Sequence, residues 1–68
     1  MLIGEINKNP IEKIRVTISD YKNHRFLDVR VYFEDDSGEW RPTKKGIAIS
    51  KDNLEPLIKL LNEGKKKL

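Results

Sequence analysis

Residues 14–50 read IRVTISDYKNHRFLDVRVYFEDDSGEWRPTKKGIAIS. At the start of this stretch Ile14, Val16 and Ile18 alternate with Arg15, Thr17 and Ser19, the period of two that gives a strand one apolar and one polar side. Tyr21 to His24 carries Asn23 at a turn, and Arg25 to Glu34 then reads as a longer strand rich in β-branched and aromatic residues. Leu27, Val29, Val31 and Phe33 point one way; Phe26, Asp28, Arg30 and Tyr32 point the other. Neither side is wholly polar. One face is therefore expected to pack on the core and the other to be partly covered by a partner or ligand.

Asp35 to Gly38 is a turn, with Gly38 supplying the positive φ that such turns often need. A short strand through Trp40 is ended by Pro42, whose missing N–H suits an edge or a loop. Lys45 to Ser50 predicts a further strand with Ile47 and Ile49 on one face, and Gly46 permits a close backbone approach or a bulge. Before the central stretch, Leu2 to Ile6 is apolar at alternate positions and predicts a short first strand, which Asn7, Asn9 and Pro10 break. Residues 1–12 are thus a short strand and a loop.

After it, Leu54, Leu57, Ile58 and Leu61 recur at helical spacing. With Asn53 as cap, Pro56 falls inside the first turn, so the helix is placed at 53–63, with Asn62 to Gly64 as its stop. The basic tail Lys65 to Lys67 complements the negative end of the helix dipole. The expected fold is α+β: one domain over 1–68, a curved four-stranded antiparallel sheet followed by a C-terminal helix in β-β-β-β-α order, with the N-terminal segment as a short extra strand.

A chain of 68 residues buries proportionally little surface, and this one has no cysteine and one histidine. Disulfides and a Cys/His zinc cluster are excluded, which leaves oligomerisation as the common remedy and a homodimer as the expectation. No apolar run approaches the roughly 18 residues that cross a bilayer, and the N-terminus lacks a secretory pattern, so a soluble intracellular protein without membrane contact is expected. Net charge is +3. Basic side chains gather at 13–25 and 41–45, while Glu34, Asp35, Asp36 and Glu39 are confined to one turn and its flanks. Such separation steers a polyanion toward one surface.

Cations beside exposed rings are what a grip on single-stranded nucleic acid requires, because cations neutralise phosphates and rings stack on unpaired bases. Tyr21, Phe33 and Trp40 are expected near the ligand, with Phe26 and Tyr32 assigned to packing. Lys22, His24 and Arg25 follow Tyr21 in one basic cluster; Arg41, Lys44 and Lys45 surround Pro42 in the other. Core packing is the competing use of the rings, and a solvated loop that of the lysines. Asp35 and Asp36 are ordinary turn residues, and His24 has no Cys or Ser partner at a motif spacing. No catalytic constellation, cofactor site or metal site is expected.

The ordered set DYKN (20–23), FLDVRVYF (26–33), DDSGEWRPTKKGI (35–47) and a leucine-rich terminal helix resembles the single-stranded-DNA-binding domain of the positive cofactor 4 transcriptional coactivator family. The resemblance runs from about Ile14 to Leu61 and is to the compact bacterial form, since eukaryotic members carry a long serine-rich region before the domain. It implies a homodimer in which the helices and last strands pair across a two-fold axis and bury Leu54, Leu57, Ile58 and Leu61. Two grooves of opposite polarity would then suit the two strands of a melted duplex.

The resemblance also implies that Tyr21 and Phe33 hold bases, that Lys22, His24, Lys44 and Lys45 contact phosphates, and that Arg30 matches a family arginine. Lys13, Arg15, Trp40 and Arg41 complete the expected nucleic-acid-binding set. Three positions depart from the family. His24 stands where lysine is usual. Phe33 replaces tryptophan, and Glu12 replaces a phosphate-binding lysine that neighbouring Lys13 would have to stand in for. The implied function is non-enzymatic, largely sequence-independent binding of single-stranded DNA in transcription, with the transcription machinery as partner, or in replication and repair. RNA binding and docking of an acidic protein are the alternatives. Localisation is expected to be cytoplasmic and nucleoid-associated in a bacterium, nuclear in a eukaryote.

Overall fold

The computed structural model describes all 68 residues. Four strands, β1 (Leu2–Asn9), β2 (Glu12–Tyr21), β3 (His24–Glu34) and β4 (Trp40–Ser50), precede one helix, α1 (Lys51–Lys67). The strands form an antiparallel sheet in the order β1-β2-β3-β4, so β1 and β4 are its edges. No helix is long and apolar enough to cross a membrane.

The β2–β3 hairpin turns on Lys22 (φ 49) and Asn23 (φ 66), both left-handed, as the two-residue turn that matches the twist of antiparallel strands demands. Pairing runs unbroken from Tyr21 opposite His24 to Glu12 opposite Phe33. Even-numbered residues of β2 therefore share a face with odd-numbered residues of β3. One face is apolar, carrying Ile14, Val16 and Ile18 beside Leu27, Val29 and Val31; the other carries Lys13, Arg15 and Thr17 beside Asp28, Arg30 and Tyr32.

Three elements differ from the sequence expectation. Strand β1 does not stop at Ile6 but continues to Asn9, because Pro10 occupies the turn itself. Asn9 organises that turn, its Oδ1 accepting from the Ile11 N–H at 3.1 Å and its Nδ2 donating to Glu12 at 2.7 Å. The two expected strands around Pro42 are one strand, β4, with a bulge between Pro42 (opposite Tyr32) and Gly46 (opposite Arg30). An edge position tolerates the proline. Thr43 holds the bulge: its hydroxyl donates to the Val31 carbonyl at 2.7 Å and accepts from the Lys45 N–H at 3.1 Å. Gly46 is required there, since a Cβ would stand 2.7 Å from the Val29 carbonyl oxygen.

The helix is longer than 53–63 at both ends. Ser50 precedes it in extended conformation without a side-chain capping bond, and Pro56 lies in the helix interior rather than in its first turn, at the loss of one backbone bond. Gly64 does not stop it, because an interior glycine costs only about 1 kcal/mol and three lysines favour the last turn.

Only Ile49 is buried, at 5% exposure. The helix lies over the apolar face, where Leu54 lines one depression with Ile18, Leu27 and Ile49, and Leu57 and Leu60 line another with Ile47. Leu54 and Leu57 are half-buried, while Ile58, Leu60 and Leu61 remain exposed. The molecule is a plate of 38 × 37 × 18 Å with a radius of gyration of 13.6 Å, against about 11 Å for a compact chain of this length. Its surface is 5842 Å², about 1,400 Å² more than the roughly 4,450 Å² of a monomeric protein of 8.0 kDa. Much of the uncovered surface is apolar, from Ile3 and Ile6 on β1 to Ile47 on β4 and the outer helix leucines.

Candidate nucleic-acid interface

The face of the sheet away from the helix places Lys13, Arg15, Thr17, Ser19 and Tyr21 in one row along β2. At a strand rise of about 3.3 Å per residue the row is about 26 Å long. Rings accompany it. The Lys13 ammonium lies 4.4 Å above the Trp40 ring, the Arg15 guanidinium 4.8 Å above Tyr32, and the Lys22 ammonium 5.3 Å from Tyr21. Each pair is a cation–π contact. His24, opposite Tyr21, joins this face at the hairpin tip, its ring 6.3 Å from that of Phe26.

Several of these cations already hold carboxylates. Glu5 on β1 takes Lys13 Nζ at 2.8 Å and Arg15 Nε at 3.0 Å. The Lys13 hydrogen bond, followed by the Arg15 contact, holds the Glu5 carboxyl below the usual carboxylate range. Arg30 donates twice to Asp28 at 3.0 Å and once to the Thr43 carbonyl at 2.9 Å, so its three nitrogens are occupied in fixing the bulge. Arg15 and Arg30 stand directly opposite across β2 and β3, an unfavourable pairing that these two carboxylates neutralise. Arg41 pairs with Asp35 and, at 3.6 Å, with Glu39. Lys22, Lys44 and Lys45 make no ion pair.

Asp35 is a turn-builder, as expected. Its carboxylate accepts from the Ser37 hydroxyl at 2.7 Å, the Ser37 N–H at 2.9 Å, the Glu39 N–H at 3.0 Å, and Arg41. These donors, Ser37 first and Arg41 second, hold its carboxyl far below the usual range. No three His, Cys, Asp or Glu side chains are grouped to hold a metal.

The structure thus divides the sequence-derived set. Lys13, Arg15, Tyr21, His24, Arg30 and Trp40 share the helix-free face, with Lys22 at its tip. Phe33 does not: it lies on the apolar side, 38% exposed, between Glu12 on β2 and Arg41 on β4. Lys45 lines a shallow depression there with Ile14, Val29 and Val31, and Lys44 is exposed in the bulge. Tyr32, assigned to packing from sequence, sits under Arg15 in the row instead. Its parity with Arg30 was the available signal. Glu5 had no such signal, because its role depends on the β1–β2 register.

The chain is thus a four-stranded antiparallel sheet with one helix on its apolar side and with cations and rings on the other. Residues 8–60 match the Transcriptional Coactivator p15 (PC4) family, and the chain belongs to it. The RNA polymerase II transcriptional coactivator SUB1 of Saccharomyces cerevisiae is 41% identical over 58 residues, which are 84% of this chain and 18% of the yeast protein. The chain therefore spans less than a fifth of that relative's length. BPSL1147, a PC4 homolog from Burkholderia pseudomallei, has a crystal structure that superposes with a TM-score of 0.93 at 28% identity, covering 100% of this chain and 92% of that one. MoSub1, whose crystal structure is of a DNA complex, superposes with a TM-score of 0.63 at 26% identity, covering 96% of this chain and 79% of that one.

Proposed function

We propose that this chain is a non-enzymatic, largely sequence-independent single-stranded DNA-binding protein of the coactivator type, and that the strand lies along the β2 row on the helix-free face. The observation that carries this function is the pairing of Lys13 with Trp40 and Arg15 with Tyr32, in line with Tyr21. Ammonium and guanidinium groups neutralise phosphates and ring faces accept any unpaired base, and contacts of these two kinds carry no sequence information. The DNA complex of MoSub1 supports DNA as the ligand, and the yeast relative supports a role in transcription.

The working unit is a homodimer. Closing the roughly 1,400 Å² excess on each protomer would bury about 2,800 Å² in total, within the range of permanent homodimers. The helix outer face, with Ile58 and Leu61, and the open part of the apolar sheet face supply that surface. A two-fold axis then relates two rows, one for each strand of a melted duplex.

Anisotropy titrations of oligo-dT, matched RNA and matched duplex across a salt series test the function. Oligo-dT is expected to bind more tightly than duplex, with log affinity falling against log salt at a slope of about −2 for roughly three phosphates neutralised by Lys13, Arg15 and Lys22. Duplex binding equal to that of oligo-dT contradicts it, and tighter RNA binding reassigns the ligand.

A further inference from the structure

Lys13 and Arg15, the two cations seated over rings at the end of the row far from the hairpin tip, converge on the two oxygens of one carboxylate, that of Glu5. Lys13 Nζ meets Oε2 at 2.8 Å and Arg15 Nε meets Oε1 at 3.0 Å. The arrangement is the one a phosphate group would take, with two anionic oxygens each accepting from a different cation. The three side chains are between 21% and 32% exposed, so the carboxylate is partly shielded yet open to an approaching ligand. Glu5 lies opposite Arg15 in the pairing of β1 with β2, and β1 is an edge strand able to yield its side chain without disturbing the sheet behind it.

We propose that Glu5 is an internal stand-in for a nucleic-acid phosphate: it occupies the Lys13–Arg15 site in the free protein and competes with the strand for it. This inference rests on the function proposed above. Three consequences follow from the geometry. The carboxylate cancels one of the two positive charges at the site, so the free site has the pull of a single cation on a distant anion. It keeps Lys13 and Arg15 aligned over Trp40 and Tyr32, so the site is preorganised when a phosphate displaces it. It also sets a threshold. An isolated anion must beat a tethered carboxylate, whereas a polymer that makes further contacts at Tyr21 and Lys22 does so through its other contacts.

Glu5→Gln tests this, with Glu63→Gln as a charge-matched control, because Glu63 pairs only with Lys66 on the exposed helix. Both substitutions raise net charge by one. Glu5→Gln is expected to tighten oligo-dT binding about three- to tenfold at low salt, since each partly exposed ion pair it removes is weak. It should also steepen the salt slope by about 0.7, the share of one further neutralised phosphate. Glu63→Gln should change affinity less than twofold. Glu5→Thr, which keeps strand propensity, repeats the test should the glutamine variant unfold, and circular dichroism verifies each fold.

A parent protein that binds oligo-dT while Glu5→Gln binds it no more tightly overturns this inference alone, as does an equal gain in Glu63→Gln. A parent that fails to bind single strands at any salt overturns the proposed function and this inference with it.

Discussion

Tyr21 and Phe33 lie on opposite faces of the sheet and at opposite ends of β2, about 30 Å apart along the strand. A base stacked on one is therefore out of reach of the other within the same straight track. A strand on the helix-free face meets Tyr21 at the hairpin tip, and it reaches Phe33, Arg41 and Lys45 only by passing round the β3–β4 end beyond Trp40.

This geometry separates the two rings by ligand length. Tyr21→Ala should weaken oligo-dT binding by about 1 to 3 kcal/mol and leave the salt slope unchanged, since a stacking partner is lost and no charge. Phe33→Ala should have that effect on strands of about 16 residues and not on those of about 4, the two ends of the range of single-strand site sizes. Anisotropy with both lengths checks this, once melting curves show that the variants are folded.

Assembly can be probed at a residue that a lone protomer would not miss. Leu61 is 63% exposed in the single chain, so Leu61→Asp should be harmless to a monomer. In a dimer closed through the helices it would bury an unpaired charge. Sedimentation equilibrium at micromolar concentration should give a dimer for the parent, and dissociated or unfolded protein for the variant. A folded monomeric parent would contradict the assembly.

Gly46→Ala should destabilise the protein by about 1 to 3 kcal/mol, the cost of overpacking. The added methyl would stand 2.7 Å from the Val29 carbonyl oxygen, a backbone atom, and 2.8 Å from the Arg30 guanidinium carbon. Urea unfolding checks the value, and an unchanged midpoint would show that the bulge adapts.

The turn at Asp35 carries a pH signature. Because its folded carboxyl is depressed, its contribution to stability is complete above the unfolded carboxylate pKa of about 4 and is lost as pH falls through that region toward the folded value. Asp35→Asn should lower the melting temperature by about 5 °C at pH 7, and the two curves should converge on acidification below about pH 4. A difference independent of pH would mean that the charge is not what the turn uses.

The sequence carried the sheet's inner pair almost whole. Unbroken alternation from Ile14 to Ser19 and from Phe26 to Phe33 set both strands and their faces, and Asn23 and Gly38 marked turns that prove to have positive φ. Pro42 misled, because an edge strand tolerates a proline that a central one would not; Gly64 misled, because a single glycine does not outweigh three following lysines. Site residues were legible as types and less so as places. The family resemblance grouped Tyr21 with Phe33, whereas strand parity separates them. The Glu5 contact needs the β1–β2 register, including its shift between Leu2 and Gly4, which local pattern does not contain.

Trp40 is the chain's one tryptophan, and it lies under Lys13 at the end of the row, so its emission reports directly on the face proposed to bind. Oligo-dT titrated into the protein at low salt should quench that emission saturably, with the same midpoint as the anisotropy of a labelled strand, and added salt should reverse both together. Binding seen by anisotropy with Trp40 emission unchanged would place the strand elsewhere and contradict the helix-free face as the interface.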